Sequence, residues 1–500
     1  MDSRIKDKYN KTLSDNVFPE DWQNPEPKKI YDLVVIGAGT AGLVSAAGAA
    51  GLGASVALIE RRAMGGDCLN FGCVPSKSLI SASRAAYEIK QAEKFGITAG
   101  RTRINFGKVM EWVRSRRSSI SKNDSAERFR AIGADVFLGK AVFEAGDTVS
   151  VNGRKLKFKR AIIATGAVPV RPQIEGIDKT GCFTNETIFE ITKLPGKLVV
   201  IGGGPLGCEL AQAFARLGSR VTMLQDSSHI LDREDPDAAE IIQKQLEADG
   251  IKLVTGVKII RAEKKGKKKI IFYESEKTED SAWADEILTG AGRQPVVEGL
   301  GLEKAGVKYD PRKGVYVNDN LRTSNPKIYA AGDVCSAYKF THTADFSARI
   351  AVQNALFFGA RKFSSLVIPW CTYTDPEIAH TGIYERDAQA KGMATRTFIV
   401  KFSEVDRAIA AGEESGFVKI ITKNNTDKIL GATIVAKDAG NMISEITLAM
   451  NNGTGLSGIA GTIHPYPTLA EAIRKAGDMF NRTRLTPAIK ILLKGIIKLK

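Results

Sequence analysis

Histidine is scarce in this chain. Only His229, His342, His380 and His464 occur in 500 residues, so few side chains are on hand to act as acid or base near neutral pH. Long apolar runs are missing as well. No stretch is apolar enough to span a bilayer, and residues 1–30 are polar and charged, unlike a secretory signal. A protein made and kept in the cytosol is expected. Six cysteines in a chain of this length do not make a secreted disulfide framework. Cys182, Cys208, Cys335 and Cys371 are scattered and read as small buried hydrophobes. The net charge of +16 comes without a zinc finger, an RNA-binding strand signature or any other nucleic-acid reader. Its surplus gathers in the N-terminal arm, around Lys264 to Lys269 in a predicted hairpin turn, and in the last 25 residues. The middle stretch reads as a solvated loop, and no nucleic acid is expected as partner.

Glycine is abundant, at 48 residues, and the length suits two to four domains. Residues 1–30, with Pro19, Pro25 and Pro27 and no apolar periodicity, read as an extended arm wrapping the body. Then YDLVVIG (Tyr31 to Gly37) reads as a strand buried on both faces. Gly37, Gly39 and Gly42 form GAGTAG, a small-residue helix follows, and a second strand ends at Glu60, 18 residues after Gly42. In that setting the glycines bring backbone N–H groups to a pyrophosphate at a helix N-terminus, and Glu60 takes the ribose hydroxyls. The unit recurs at KLVVIGGGPLGCE, with Gly202, Gly204 and Gly207. Two dinucleotide sites in one chain suit hydride transfer from a nicotinamide cofactor to a bound flavin.

Between the two fingerprints, Cys68 and Cys73 lie in GGDCLNFGCVPSK near the start of a predicted helix. Five residues apart, they fall on adjoining turns, close enough for a disulfide, and the positive end of a helix favours a thiolate. No further metal ligands are near, and so short a loop adds little rigidity, so a zinc half-site or structural disulfide is the weaker reading. A resident metal is not expected. The dithiol reads as a relay between a redox cofactor and an external acceptor. Two further strands end in ATG (Ala164 to Gly166) and AGD (Ala331 to Asp333), and from about Phe363 the pattern becomes α+β.

These motifs, in this order, resemble the pyridine nucleotide–disulfide oxidoreductases, the family of glutathione reductase, dihydrolipoyl dehydrogenase and mercuric reductase. The resemblance covers about residues 31–480. It implies an α/β fold with two Rossmann-like domains, for FAD and NAD(P), and a C-terminal α+β interface domain that makes a homodimer. The expected division is 1–30 arm, 31–173 with 299–362 for FAD, 174–298 for NAD(P), 363–480 interface, and 481–500 a basic tail. By resemblance, Gly37, Gly39, Gly42, Glu60, Gly66 and Asp333 bind FAD, with Thr165 and Gly166 at the domain crossover. Gly202, Gly204, Gly207, Gln225 and Gly292 serve the nicotinamide side. Cys73 takes the place next to the flavin and Cys68 that of the interchange thiol. Lys77 and Glu209 match an ion pair near the flavin's hydride-accepting nitrogen, and a buried Lys and Glu each require the other.

The chain departs from the disulfide-reducing members near its end. Where they carry HPT, this sequence has IHPYPTLAEA, which puts Tyr466 in the place of the acid/base histidine, His464 two residues before it, and Glu471 as its partner carboxylate. A tyrosine there resembles mercuric reductase and disfavours dithiol substrates. Yet no cysteine follows Cys371, so the paired delivery thiols of mercuric reductases are missing. At the strand end where NAD-specific relatives place a carboxylate stands Gln225, which favours NADPH. Three readings follow: a mercuric-reductase-like enzyme reducing a soft metal ion or thiol-reactive substrate, a dihydrolipoyl dehydrogenase-like disulfide oxidoreductase, and a membrane-surface electron-feeding flavoprotein. The last rests on the tail. Thr486 and Pro487 signal a helix start, and Ile489, Leu492, Leu493, Ile496 and Ile497 share a face beside Lys490, Lys494 and Lys498. Packing on the interface domain and docking on anionic lipid are both open for it.

Overall fold

The computed structural model describes residues 5–100 and 102–499. They form two compact units, Met1–Gly202 with Ala213–Leu224 and Val257–Leu366, and Gly203–Gln212 with Gln225–Gly256 and Val367–Lys500.

In the first unit the strand Tyr31–Ile36 runs parallel between Val56–Glu60 and Arg154–Ile163. Ala134–Leu138 extends the sheet beyond Val56–Glu60, and Ile328–Ala330 also pairs in parallel with Arg154–Ile163. An antiparallel meander of Ala141–Ala145, Thr148–Val151 and Arg154–Ile163 completes its seven strands. From Leu33 to Ile36 the strand is apolar at every position because both faces are covered, and Asp32 near its start pairs with Lys159 at 2.8 Å. Leu33 and Val35 pack in one core with Ala46, Leu58 and Ala348, while Val34 and Ile36 pack in another with Phe137, Phe158 and Ile328. Each such side chain contributes about 1.5–3 kcal/mol on burial, so the register of the central strand is firmly set. The same unit holds a parallel trio, Lys197–Ile201 between Arg220–Leu224 and Glu286–Thr289. It also holds an antiparallel sheet of Lys258–Lys265, Lys268–Ser275 and Thr278–Ala284. The lysine-rich stretch is the exposed hairpin of that sheet, turning at Gly266 with φ +61°.

The N-terminal arm differs from the extended form expected of it. Lys8–Val17 is a helix, capped by Asp7 Oδ1, which accepts from Asn10 N at 2.9 Å. Leu13 and Val17 are buried in the first core, Val17 O accepts from Met64 N, and Arg114 Nε bonds Asp7 at 2.6 Å. Residues 1–4 of the arm lie outside the described residues.

The second unit is α+β. Its antiparallel sheet runs in the order Pro369–Thr372, Glu377–Gly382, Ile429–Ala436, Phe417–Lys423, Thr395–Lys401. Helices Ala439–Asn451 and Glu471–Thr483 cover it, enclosing Phe398, Val418, Ile434, Ile446, Ile473 and Phe480. A last helix runs Pro487–Leu499. Among the described residues no helix is long and apolar enough to cross a membrane.

Candidate active site

Cys68 lies on the short helix Gly66–Asn70 and Cys73 opens the helix Cys73–Gln91. The two cysteines are thus on successive helices, where adjoining turns of one helix were expected. The break falls at Phe71 and Gly72. A Cβ on Gly72 would press on the Asp67 side chain and carbonyl at 2.8 and 3.0 Å, so the sharp join needs glycine. Both cysteines are free thiols. A hydrogen bond from Cys68 brings Cys73 down to about 6, helped by the Thr341 hydroxyl and the charge of Lys77 and opposed by burial. The same bond raises Cys68. The geometry holds one thiolate and one thiol, with the thiolate at the first residue of a 19-residue helix. Thr341 Oγ1 lies 3.3 Å from Cys73 Sγ.

Asp67, beside the dithiol, is held by Asn185 Nδ2 at 2.9 Å and Arg293 Nη1 at 3.1 Å. Arg293 also stands 3.6 Å from Asp333, whose backbone oxygen accepts from Lys339 Nζ at 3.0 Å. Burial raises the Asp333 carboxyl. Arg293 therefore links the dithiol segment to the AGD turn, a role that no local motif announces.

The residues of the first fingerprint fit a dinucleotide. Gly37 has φ +102°, and any Cβ there would meet the backbone of Ala164; one on Gly42 would overlap the Gly37 carbonyl. Gly66 packs against Gly39 with φ +57°, again without room for a side chain. Glu60, buried at its strand end, accepts from Ala38 N and Arg62 N, each at 2.7 Å. Beside it lies a cleft lined by Ile36, Gly37, Glu60, Lys140, Thr165 and Val296. A buried carboxylate on the wall of a cleft at a glycine turn suits the adenosine half of FAD. Thr165 Oγ1 donates to Val296 O at 2.7 Å, and Gly166 O accepts from Val296 N. With Gly292 O accepting from Val170 N, these three residues meet at the two-stranded join of Ala167–Pro169 and Arg293–Pro295.

The second fingerprint follows the same plan with one change. Gly202 has φ +102°, like Gly37; Gly204 precedes the helix Pro205–Arg216, which contains Gly207. The buried Gln225 accepts from Gly203 N through Oε1 at 2.5 Å, the bond that Glu60 makes to Ala38. A neutral amide thus occupies the place of the carboxylate. Glu209 is buried in the second unit and accepts from Tyr373 N at 2.9 Å, whereas Lys77 lies one turn past Cys73 in the first.

Near the C-terminus the expected pairing is corrected. Tyr466 bonds Asp406 Oδ2 at 2.9 Å, while Glu471, its expected partner, is held by Arg474 at 3.1 Å. His464 has its own carboxylate, with Nε2 2.8 Å from Glu445 Oε1. Tyr466 is 70 % exposed, so its ring is open to a ligand or to another chain. The Asp406 carboxylate raises the Tyr466 phenol, which favours a proton donor over a base. Asp406, Glu445, Thr341 and Arg293 escaped the sequence reading because each meets its partner only through tertiary folding.

The model of the pyridine nucleotide-disulphide oxidoreductase family matches residues 31–348, and that of its dimerisation domain matches residues 368–477. A mercuric reductase of Lysinibacillus sphaericus is 35 % identical over 90 % of this chain and 83 % of its own length. A dihydrolipoyl dehydrogenase of Thermus scotoductus is 34 % identical over 91 % of this chain and 98 % of its own. Among solved structures, the HOCl-induced flavoprotein disulfide reductase RclA from Escherichia coli superposes with a TM-score of 0.80 at 27 % identity, covering 90 % of this chain and 99 % of that one. A similar structure is a Cu(II) complex of the same protein carrying a Cys-to-Ser substitution.

Proposed function

The chain belongs to the pyridine nucleotide–disulphide oxidoreductases, a family of FAD- and NAD(P)H-dependent enzymes, and on that premise we propose that it reduces a soft metal ion or another thiol-reactive oxidant through Cys68 and Cys73. FAD, when bound, supplies two-electron carriage from the nicotinamide. The chain's own residues set the rest. Cys73 is held as a thiolate by Cys68 and Thr341, and Cys68, the protonated partner, is the group that meets substrate. Conversion of this thiolate–thiol pair to a disulfide releases two electrons and one proton, which covers the two electrons needed by one divalent soft ion or, with a second proton from solvent, one external disulfide. The first fingerprint with Glu60, Gly66 and Asp333 holds FAD, and the second with Gln225 holds NAD(P)H. Gln225 brings no negative charge toward a ribose 2′-phosphate, which supports NADPH. Lys77 supplies a cation beside the flavin. The enzyme works as a homodimer through the domain at 368–477.

The observation that carries the choice of acceptor is Tyr466 on Asp406. A phenol kept protonated by a carboxylate donates a proton or sits by a soft metal, and it is a poor base for a dithiol at neutral pH. The mercuric reductases among the relatives and the copper complex of the structural neighbour make mercuric and cupric ions the acceptors to test first. Purified holoenzyme is assayed with NADPH against mercuric ion, cupric ion, lipoamide, oxidised glutathione and a quinone. Turnover confined to lipoamide or glutathione overturns the metal reading and favours the disulfide-reductase alternative.

A further inference from the structure

The terminal helix Pro487–Leu499 contains no buried residue. It starts as its sequence directs, with Thr486 Oγ1 accepting from Ile489 N and Thr486 O from Lys490 N. At 100° per residue, Ile489, Leu492, Leu493, Ile496 and Leu499 share one face, and Lys490, Lys494 and Lys498 form a narrow stripe on another. Along the apolar face exposure runs from 40 % at Ile489 to 88 % at Leu499, so none of its residues is buried against the rest of the chain. The residues matched to the dimerisation domain end at 477, ten before Pro487.

Charge identifies the occupant. Asp478 is the last acidic residue, and Arg482, Arg484, Lys490, Lys494, Lys498 and Lys500 follow it. A second copy laid against this segment would set like charges together, and a nucleic acid would leave the apolar face in water. A surface that offers anionic groups directly above hydrocarbon satisfies both faces at once. The helix spans about 20 Å at 1.5 Å per residue, too short to cross a bilayer and suited to lie within its surface. We propose that Pro487–Leu499 docks this enzyme on an anionic lipid bilayer, with Ile489, Leu492, Ile496 and Leu499 inserted among the acyl chains and Lys490, Lys494 and Lys498 on the headgroup phosphates. The inference stands apart from the choice of electron acceptor.

The test is vesicle flotation of the FAD-loaded protein with equal parts phosphatidylcholine and phosphatidylglycerol, and with phosphatidylcholine alone. The full chain floats with the anionic vesicles. Replacing the three lysines by Gln (K490Q, K494Q, K498Q) lowers its partition about 100-fold, as does raising the salt, and Leu492→Glu with Ile496→Glu removes binding. A chain ending at Arg484 stays in solution, and its NADPH–ferricyanide turnover, equal to that of the full chain, shows that it is folded. Equal flotation of the truncated chain, or no flotation of the full chain, overturns the proposal. So does a fall in oligomer mass on truncation, measured by sedimentation, which would make the helix a contact between copies.

Discussion

Removal of the Thr341 hydroxyl tests how the thiolate is made. In Thr341→Val the 3.3 Å contact to Cys73 is lost, while the side-chain volume is kept. A hydrogen bond to a charged acceptor contributes about 1.5–3 kcal/mol, and the lower end applies because Thr341 shares the thiolate with the stronger donor Cys68. At about 1.4 kcal/mol per pKa unit this raises Cys73 from about 6 by about one unit. The thiol is charged above its pKa, so the thiolate fraction at pH 7 falls from about 90 % to about 50 %, and at pH 6 from about 50 % to about 10 %. The reduced holoenzyme is alkylated with iodoacetamide across pH 4.5–9, and the midpoint is read from the rate. Cys68→Ala removes the larger contributor and shifts the midpoint further. An unchanged midpoint in Thr341→Val refutes the assignment, and a larger shift there than in Cys68→Ala reverses the order of the two donors.

Cys73→Ser abolishes the long-wavelength absorbance of the two-electron-reduced protein, while Cys68→Ser, which keeps a donor at that position, shows such a band without reductant; identical spectra would exchange or cancel the two thiol roles. Gln225→Glu lowers the ratio of kcat/KM for NADPH over NADH about tenfold or more, equivalent to about 1.4 kcal/mol, and an unchanged ratio removes Gln225 from coenzyme choice. Wild-type turnover of lipoamide at pH 7 is low and Tyr466→His raises it, within the factor of about 100 to 10,000 that a positioned base contributes. His380, stacked on Tyr384 at 3.7 Å and bonded through Nδ1 to Thr433, is pushed down to about 3 by burial. The unfolded chain therefore takes the proton first, so stability present above pH 6.5 is lost as pH falls, by about 2 kcal/mol between 6.5 and 5. His380→Asn flattens that slope in urea titrations.

Much of the fold is legible where the code is local and dense. A strand covered on both faces, such as Leu33 to Ile36, must be apolar at every position, and a glycine turn that meets a backbone at Ala164 admits no other residue. The helix Lys8–Val17 lacks such a signature. Only Leu13 and Val17 face the core, and its other anchors are Asp7 with Arg114 and Arg117 with Asn10, partners about a hundred residues away. The site divides in the same way. Two cysteines five residues apart announce themselves, but Thr341 is 268 residues from Cys73 and sits in no motif.

The C-terminal correction shows what spacing leaves out. Counting from Tyr466 to Glu471 reproduces the spacing of a His–Glu pair, yet spacing does not say which cation is near. Arg474, one turn along the same helix, holds Glu471, and the phenol turns to Asp406 from another helix. His464 meanwhile keeps a carboxylate of its own in Glu445. The chain thus carries two proton-bearing side chains two residues apart, each with a separate acceptor. Asp406 beside Tyr466 favours a donor that stays protonated at neutral pH, whereas His464 turns its Nε2 to Glu445. A single substitution at 466 therefore alters one of two acid–base devices, and the pH profile of Tyr466→His, read beside that of His464→Gln, separates them.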